Sequence, residues 1–259
     1  MSQVADNVPI DLGESLGNDG STLVCLGTYA ADFNAIEYGQ RIRHYLPRLK
    51  EKGVSRVKFV LNASPEAATA LADILDLPRE VELLSDPAGT AGRAFGVSSG
   101  FRPGDKETSP YVKLFAMLFG LGAPLTLPYV ISGYLGNPWG EASWIEEALA
   151  VGQRQGRWPG NALVLDGDTV VENKFTRLPV VGTWNRRPLE LATLRLQNMV
   201  GISIQQWGKL GPDVQTYPEV LTQLGGCVVV GSDGTTTQFE WKDPGICAVA
   251  SFDDMLKAL

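Results

Sequence analysis

Residues 225–241, GGCVVVGSDGTTTQFEW, decide the reading of the fold. Two β-rich runs, Cys227–Gly231 and Thr236–Trp241, flank Ser232-Asp233-Gly234. Asp-Gly between such runs is a strong hairpin signal, because a tight turn needs residues that tolerate positive φ. After it, Phe252, Met255, Leu256 and Leu259 recur at helical spacing, which predicts a final helix from about Ser251. Toward the N-terminus, STLVCLG (21–27), VKFVL (57–61) and VELL (81–84) are short apolar runs of the kind that form buried strands. Between the first two lie Ile42, Leu46 and Leu49 with Arg41, Arg43, Arg48, Lys50 and Lys52, an amphipathic helix expected to kink or restart at Pro47. Ser64-Pro65-Glu66 supplies an N-cap, a first-turn proline and an early acid for a second helix, with Ala67, Leu71, Ile74 and Leu75 on one face. Asp86-Pro87 opens a third helix that ends before Gly96. Strands and helices alternating on short links predict an α/β fold with parallel pairing.

Composition narrows the function. The chain has 259 residues, 44% hydrophobic and 20% charged, with a net charge of −7, so it can bury a full core but is a poor match for nucleic acid. Three scattered cysteines argue for a reducing compartment, and a single histidine, His44, argues against most metal sites. No cofactor is expected. Residues 1–20 read as an acidic lead-in with Asp6, Asp11, Glu14 and Asp19, unlike a secretory or transit segment, which points to a cytoplasmic protein.

The middle departs from the alternating pattern. No charged side chain occurs from Leu114 to Gly140, and the run is long enough to span a bilayer. Pro124, Pro128 and repeated glycines break it, so a buried helix and loop is the first reading and a docking surface for a membrane or partner the second. The middle also holds five of the six tryptophans: Trp139, Trp144, Trp158, Trp184 and Trp207. A further hairpin is expected around Asp166-Gly167, with Asp166 and Asp168 as turn residues rather than calcium ligands, and a helix from Pro188 to about Trp207. Residues 102–206 thus read as an apolar, Trp-rich insertion within a single domain spanning 21–259.

Two stretches resemble a known family. Val81–Val97, VELLSDPAGTAGRAFGV, is similar to the LLSDP…G…A…YGV segment of peroxiredoxins of the AhpC/TSA family, and Gln223–Trp241 to their C-terminal hairpin. The resemblance covers about half the chain and implies a thioredoxin-like fold: a mixed sheet with flanking helices, carrying a large insertion before the C-terminal hairpin and helix. It also implies a site. These enzymes carry Pro-x-x-x-Thr/Ser-x-x-Cys at the start of the first helix, where the helix N-terminus favours the reactive thiolate. Ala31-Asp32-Phe33 sets the register, which puts Ala30 at the proline, Asn34 at the Thr/Ser and Glu37 at the cysteine. A carboxylate cannot be oxidised by peroxide, so peroxidase chemistry is expected to be lost.

Cys227, at the start of the hairpin strand, is the thiol that the resemblance brings near Glu37 and Asn34; a strand-core cysteine is the alternative. Cys25 reads as core. Arg41–Lys58 holds seven Lys/Arg against one Glu, either an anion or partner patch or a solvated helix face. Two functions stay open. One is a binding or assembly protein that uses its apolar segment, with Leu114, Phe115, Leu118, Phe119, Trp139 and Trp144 facing a protein partner or a membrane, a photosynthetic membrane among the settings. The other is an antioxidant or thiol-disulfide enzyme using Cys227, with thioredoxin as its reductant.

Overall fold

The structure is a computed structural model that describes residues 2–4, 8–9, 16, 20–135, 143–157, 163–167, 169–177, 179 and 189–259. Two-residue strands β1 (Ser2–Gln3) and β2 (Val8–Pro9) precede β3 (Ser21–Leu26), α1 (Phe33–Glu51), β4 (Val54–Leu61), α2 (Pro65–Leu75), β5 (Val81–Ser85) and α3 (Thr90–Phe95). The middle holds α4 (Pro110–Leu118), α5 (Thr126–Val130) with a π-helical turn Ile131–Leu135, α6 (Ser143–Arg154), the hairpin β6 (Leu163–Asp166) and β7 (Thr169–Asn173), and α7 (Leu189–Ser203). The short α8 (Trp207–Leu210), the hairpin β8 (Gly226–Val230) and β9 (Thr237–Lys242), and α9 (Phe252–Ala258) complete the chain.

The architecture is α/β, with a mixed sheet flanked by helices. Five main strands run in the order β5-β4-β3-β8-β9, and β1 and β2 extend the β5 edge. β3, β4 and β5 pair in parallel, whereas β8 joins β3 antiparallel, which places Cys25 opposite Cys227. Both faces of the centre are covered, which is why STLVCL is a continuous apolar run rather than an alternating one. Successive residues point to opposite faces. Leu23 and Cys25 therefore join the core with α1 and α2, while Val24 and Leu26 meet Ala91 and Phe95 of α3.

The helix boundaries follow from local chemistry. Ser64 accepts the Ala67 N–H at 3.2 Å and caps α2, whose first helical residue is Pro65. In the hairpin turn the Asp233 carboxylate accepts the N–H groups of Thr235 and Thr236. Gly225 enters β8 where a Cβ would stand 2.7 Å from the Leu26 carbonyl oxygen, so only glycine fits there. Of the two outcomes expected at Pro47, the restart is corrected: α1 runs unbroken through it from Phe33 to Glu51. Its neighbours Leu46 and Leu49 stay buried, and that packing holds the helix together where one backbone hydrogen bond is lost.

The described residues of 102–206 share the core of the main sheet. Tyr134, Trp144, Ile145, Leu149, Leu163, Met199 and Ile202 pack in the same apolar cluster as Leu23, Ile36 and Phe59. Among the described residues no helix is long and apolar enough to cross a membrane. The acidic lead-in residues Asp6, Asp11, Glu14 and Asp19, and Trp139, Trp158, Asp168 and Trp184, lie outside the described residues.

Candidate functional site

The first turns of α1 and the chain leaving β9 meet at a buried polar cluster. Asn34 bridges them, donating through Nδ2 to Asp243 Oδ2 at 2.7 Å and accepting the Cys247 N–H at 2.6 Å. Asp243 also accepts from Tyr38 Oη at 2.7 Å and from Trp241 Nε1 at 3.0 Å. Burial raises the Asp243 carboxyl pKa to about 7 despite those three donors. Cys247 lies in the left-handed region at φ 63°, unusual for a residue with a Cβ, and is held there by its bond to Asn34.

One turn along α1, Glu37 is only 3% exposed and lies between two guanidinium groups. Arg41, four residues on, donates to Oε1 through Nε at 2.9 Å and Nη2 at 2.6 Å. Arg195 of α7 donates to Oε2 through Nη2 and to the Gly133 carbonyl through Nη1 at 2.8 Å. Trp144 underlies both arginines, at 4.6 Å from Arg41 and 4.9 Å from Arg195, and Tyr134 stacks on Arg195 at 4.4 Å. Desolvation on this scale is tolerable only because charges and hydrogen bonds are paired. A cavity of about 340 Å³ opens beside this arrangement, lined by Glu37, Arg41, Arg195, Trp144, Trp241 and Cys247 among others.

The predicted site residues divide. Asn34 and Glu37 come together at one helix start, as expected. The thiol that feels the Glu37 carboxylate is Cys247, whereas Cys227, expected beside Glu37, has Cys25, Tyr38 and Asp243 as its neighbours. Cys227 is fully buried in the sheet against Cys25, Tyr38 and Asp243. Burial, then Cys25 and Asp243, hold its pKa well above the usual thiol range. Burial, with Glu37 and Asp32 adding to it, raises Cys247 to about 12. Neither thiol is poised as a thiolate. Cys25, Cys227 and Cys247 are all free. Among the described residues no group of His, Cys, Asp or Glu could hold a metal ion.

The basic stretch is corrected too. Its charges are largely matched in place: Arg43 and His44 with Glu147 of α6, Lys50 with Glu80, and Arg56 and Lys58 with Glu82. It is a seam that fastens α1 and β4 to their neighbours rather than an open anion patch.

The apolar segment is split. Trp144, expected on a docking face, is a core residue under the arginines, and Leu114 is half-buried. Phe115, Leu118 and Phe119 are exposed, at 62%, 43% and 63%, together with Tyr111, Val112, Leu121, Leu125, Leu127 and Ile131. Such a concentration is more than scattered surface apolar residues explain. Arg195, Asp243 and Trp241 were missed in the sequence. Only the Glu37/Arg41 spacing of four residues was readable as a helical ion pair. Compared with family models, with curated proteins and with solved structures, the chain gives no match.

Proposed function

We propose that this chain is a thioredoxin-like protein of peroxiredoxin type that no longer performs peroxidase chemistry and acts in binding or assembly, docking through the apolar face of residues 110–131. The observation that carries the reading is the fate of position 37. A carboxylate fixed between Arg41 and Arg195 occupies the place the resemblance gives to the nucleophile, and neither Cys227 nor Cys247 is activated to replace it. The element order, with the hairpin and final helix after a long middle section, supports the same fold reading. The middle section supplies the exposed aromatic and leucine side chains of the docking face.

A protein partner fits this face better than a lipid surface. Anionic headgroups are recognised by unpaired basic clusters beside the apolar residues. Here Arg102 pairs with Asp105, Lys113 is buried with its ammonium on the Asp105 carbonyl, and the whole chain carries a net charge of −7.

Two assays test the reading. The purified chain with a thioredoxin reducing system consumes no peroxide, while Glu37→Cys gains slow turnover because its thiol sits between two guanidinium groups; turnover by the unaltered chain would overturn the loss of peroxidase function. In a native extract the chain elutes in a complex larger than its 27.9 kDa, and Phe115→Glu/Phe119→Glu elutes alone. Equal elution of both sinks the docking idea. Co-sedimentation with phosphatidylcholine vesicles, lost in the double variant, would move the docking partner to the membrane.

A further inference from the structure

The one histidine of the chain stands between a hydroxyl and a carboxylate. Ser143 and Glu147 are one helical turn apart on α6, so they share a side of that helix, and His44 of α1 spans them. Ser143 Oγ lies 3.1 Å from His44 Nε2, and Glu147 Oε2 lies 2.7 Å from His44 Nδ1. The acid fixes where the protons are. Burial acts to raise the Glu147 pKa, but the bonds and charges of His44 and Arg43 outweigh it and leave the carboxyl below its ordinary value. An ionised carboxylate only accepts, so Nδ1 carries the ring hydrogen. In the neutral imidazole Nε2 is then bare, and the Ser143 hydroxyl donates to it.

Each member is held in place by a neighbour. Glu147 Oε1 accepts Arg43 Nε at 2.9 Å, and Arg43 is itself fastened to Asp76 at 2.8 Å. The buried Tyr45 ring meets the His44 ring edge-on, 4.9 Å between centroids. Ser143 is the first residue of α6, whose positive end favours negative charge developing beside its hydroxyl. It is also exposed, so an incoming carbonyl group reaches it from solvent.

We propose that Ser143, His44 and Glu147 form an acyl-transfer site that hydrolyses short-chain esters, with Ser143 as nucleophile, His44 as general base and Glu147 as the positioning acid. Ser143 Oγ attacks the ester carbonyl carbon, its proton passes to His44 Nε2, and the carbonyl electron pair moves onto oxygen. That pair returns as the bond to the leaving alkoxide breaks, and the alkoxide takes the proton from Nε2. Water then attacks the acyl-Ser143 carbonyl and gives its proton to His44. Collapse frees the acid, and the proton returns to Ser143 Oγ. Glu147 stays ionised throughout. A nucleophile at the open surface does not enclose a long acyl chain, which restricts the substrate to short ones. None of the three residues belongs to the docking face or to the Glu37 cluster, so this activity stands or falls separately from the docking role.

Because His44 is the only histidine, nitrogen NMR of its ring reads the arrangement directly. The neutral ring shows a protonated Nδ1 and a bare Nε2; the opposite tautomer overturns the proposal. Chemistry is tested with p-nitrophenyl acetate and diisopropyl fluorophosphate. The ester is hydrolysed saturably, and the fluorophosphate, losing fluoride as Ser143 Oγ bonds to phosphorus, labels Ser143 in a peptide map. Ser143→Ala abolishes both reactions while its circular dichroism stays native. His44→Gln slows both at least about 100-fold. Glu147→Gln lowers kcat at least about 100-fold with KM unchanged, a split that a purely structural contact between α1 and α6 would not produce. Should His44→Gln fail to fold, the ring tautomer and Ser143→Ala still decide the matter. The proposal is overturned if the ester turns over no faster than in buffer, if the label falls on another residue, or if Ser143→Ala or folded His44→Gln reacts as fast as the unaltered protein.

Discussion

Asp243 is the residue on which most of the site's geometry converges, and its titration can be predicted with a sign. Burial raises its pKa from 3.8 to about 7, so between those values the folded chain holds a proton that the unfolded chain has released. Its contribution to stability is therefore full below about pH 3.8 and is lost as pH rises through about 7. Above that, the carboxylate remains buried on Tyr38, Asn34 and Trp241, which soften its desolvation without removing it. Asp243→Asn carries no such titration. Its stability relative to the unaltered protein should improve by on the order of a few kcal/mol between about pH 4 and pH 7.5, read from urea melts at each pH. A difference that stays flat across that range would mean that Asp243 is ionised throughout. Sequence offered little warning of this residue. Asp243-Pro244-Gly245 reads as an ordinary strand exit, and its partner Asn34 lies 209 positions away.

At the scale of elements, α1 carries the clearest conflict between local preference and packing. Pro47 stands inside a 19-residue helix, where it lacks the N–H that would bond the Arg43 carbonyl. Proline in a helix interior costs about 3 kcal/mol relative to alanine, offset by about 0.4–1 kcal/mol of reduced freedom in the unfolded chain. Pro47 is exposed, so its replacement leaves no cavity. Pro47→Ala should stabilise the protein by about 2–2.6 kcal/mol and raise its melting temperature by several degrees; a loss of stability would show that a bend at Pro47 is needed to seat Leu46 and Leu49. The same helix shows what the sequence could and could not tell. Apolar runs marked β3, β4, β5 and β8 because burial on both faces leaves that signature without any partner being known. The fate of Glu37 was hidden, because its second arginine lies 158 positions along the chain and reaches it only through tertiary packing. Trp144 was misplaced for a related reason: composition shows an aromatic residue in an apolar stretch, but whether it covers the surface or lies under two guanidinium groups depends on α6 docking against α1.

For the molecule as a whole, an uncharged apolar face on a strongly acidic chain sets two long-range tendencies against each other. Contact between copies through Phe115, Leu118 and Phe119 would bury aromatic and aliphatic surface worth about 25 cal/mol per Å². The net charge of −7 opposes the approach, and that repulsion extends over a Debye length of about 10 Å at 0.1 M salt and about 3 Å at 1 M. Salt also strengthens apolar association where its anion is excluded from the surface. In the absence of a partner, the isolated chain should stay monomeric at low ionic strength and self-associate reversibly in about 0.5 M sodium sulfate, measured by sedimentation velocity. Phe115→Glu/Phe119→Glu places two charges in the middle of the face, and both side chains are exposed, so the fold should be unaffected within about 0.5 kcal/mol each. That variant should remain monomeric at every salt concentration. If it associates as readily as the unaltered protein, the association arises elsewhere on the surface, and the apolar segment then has no special claim as a docking face. If neither protein associates, the face is too weakly cohesive to hold two copies, and a partner would have to supply the complementary shape that a second copy of this chain lacks.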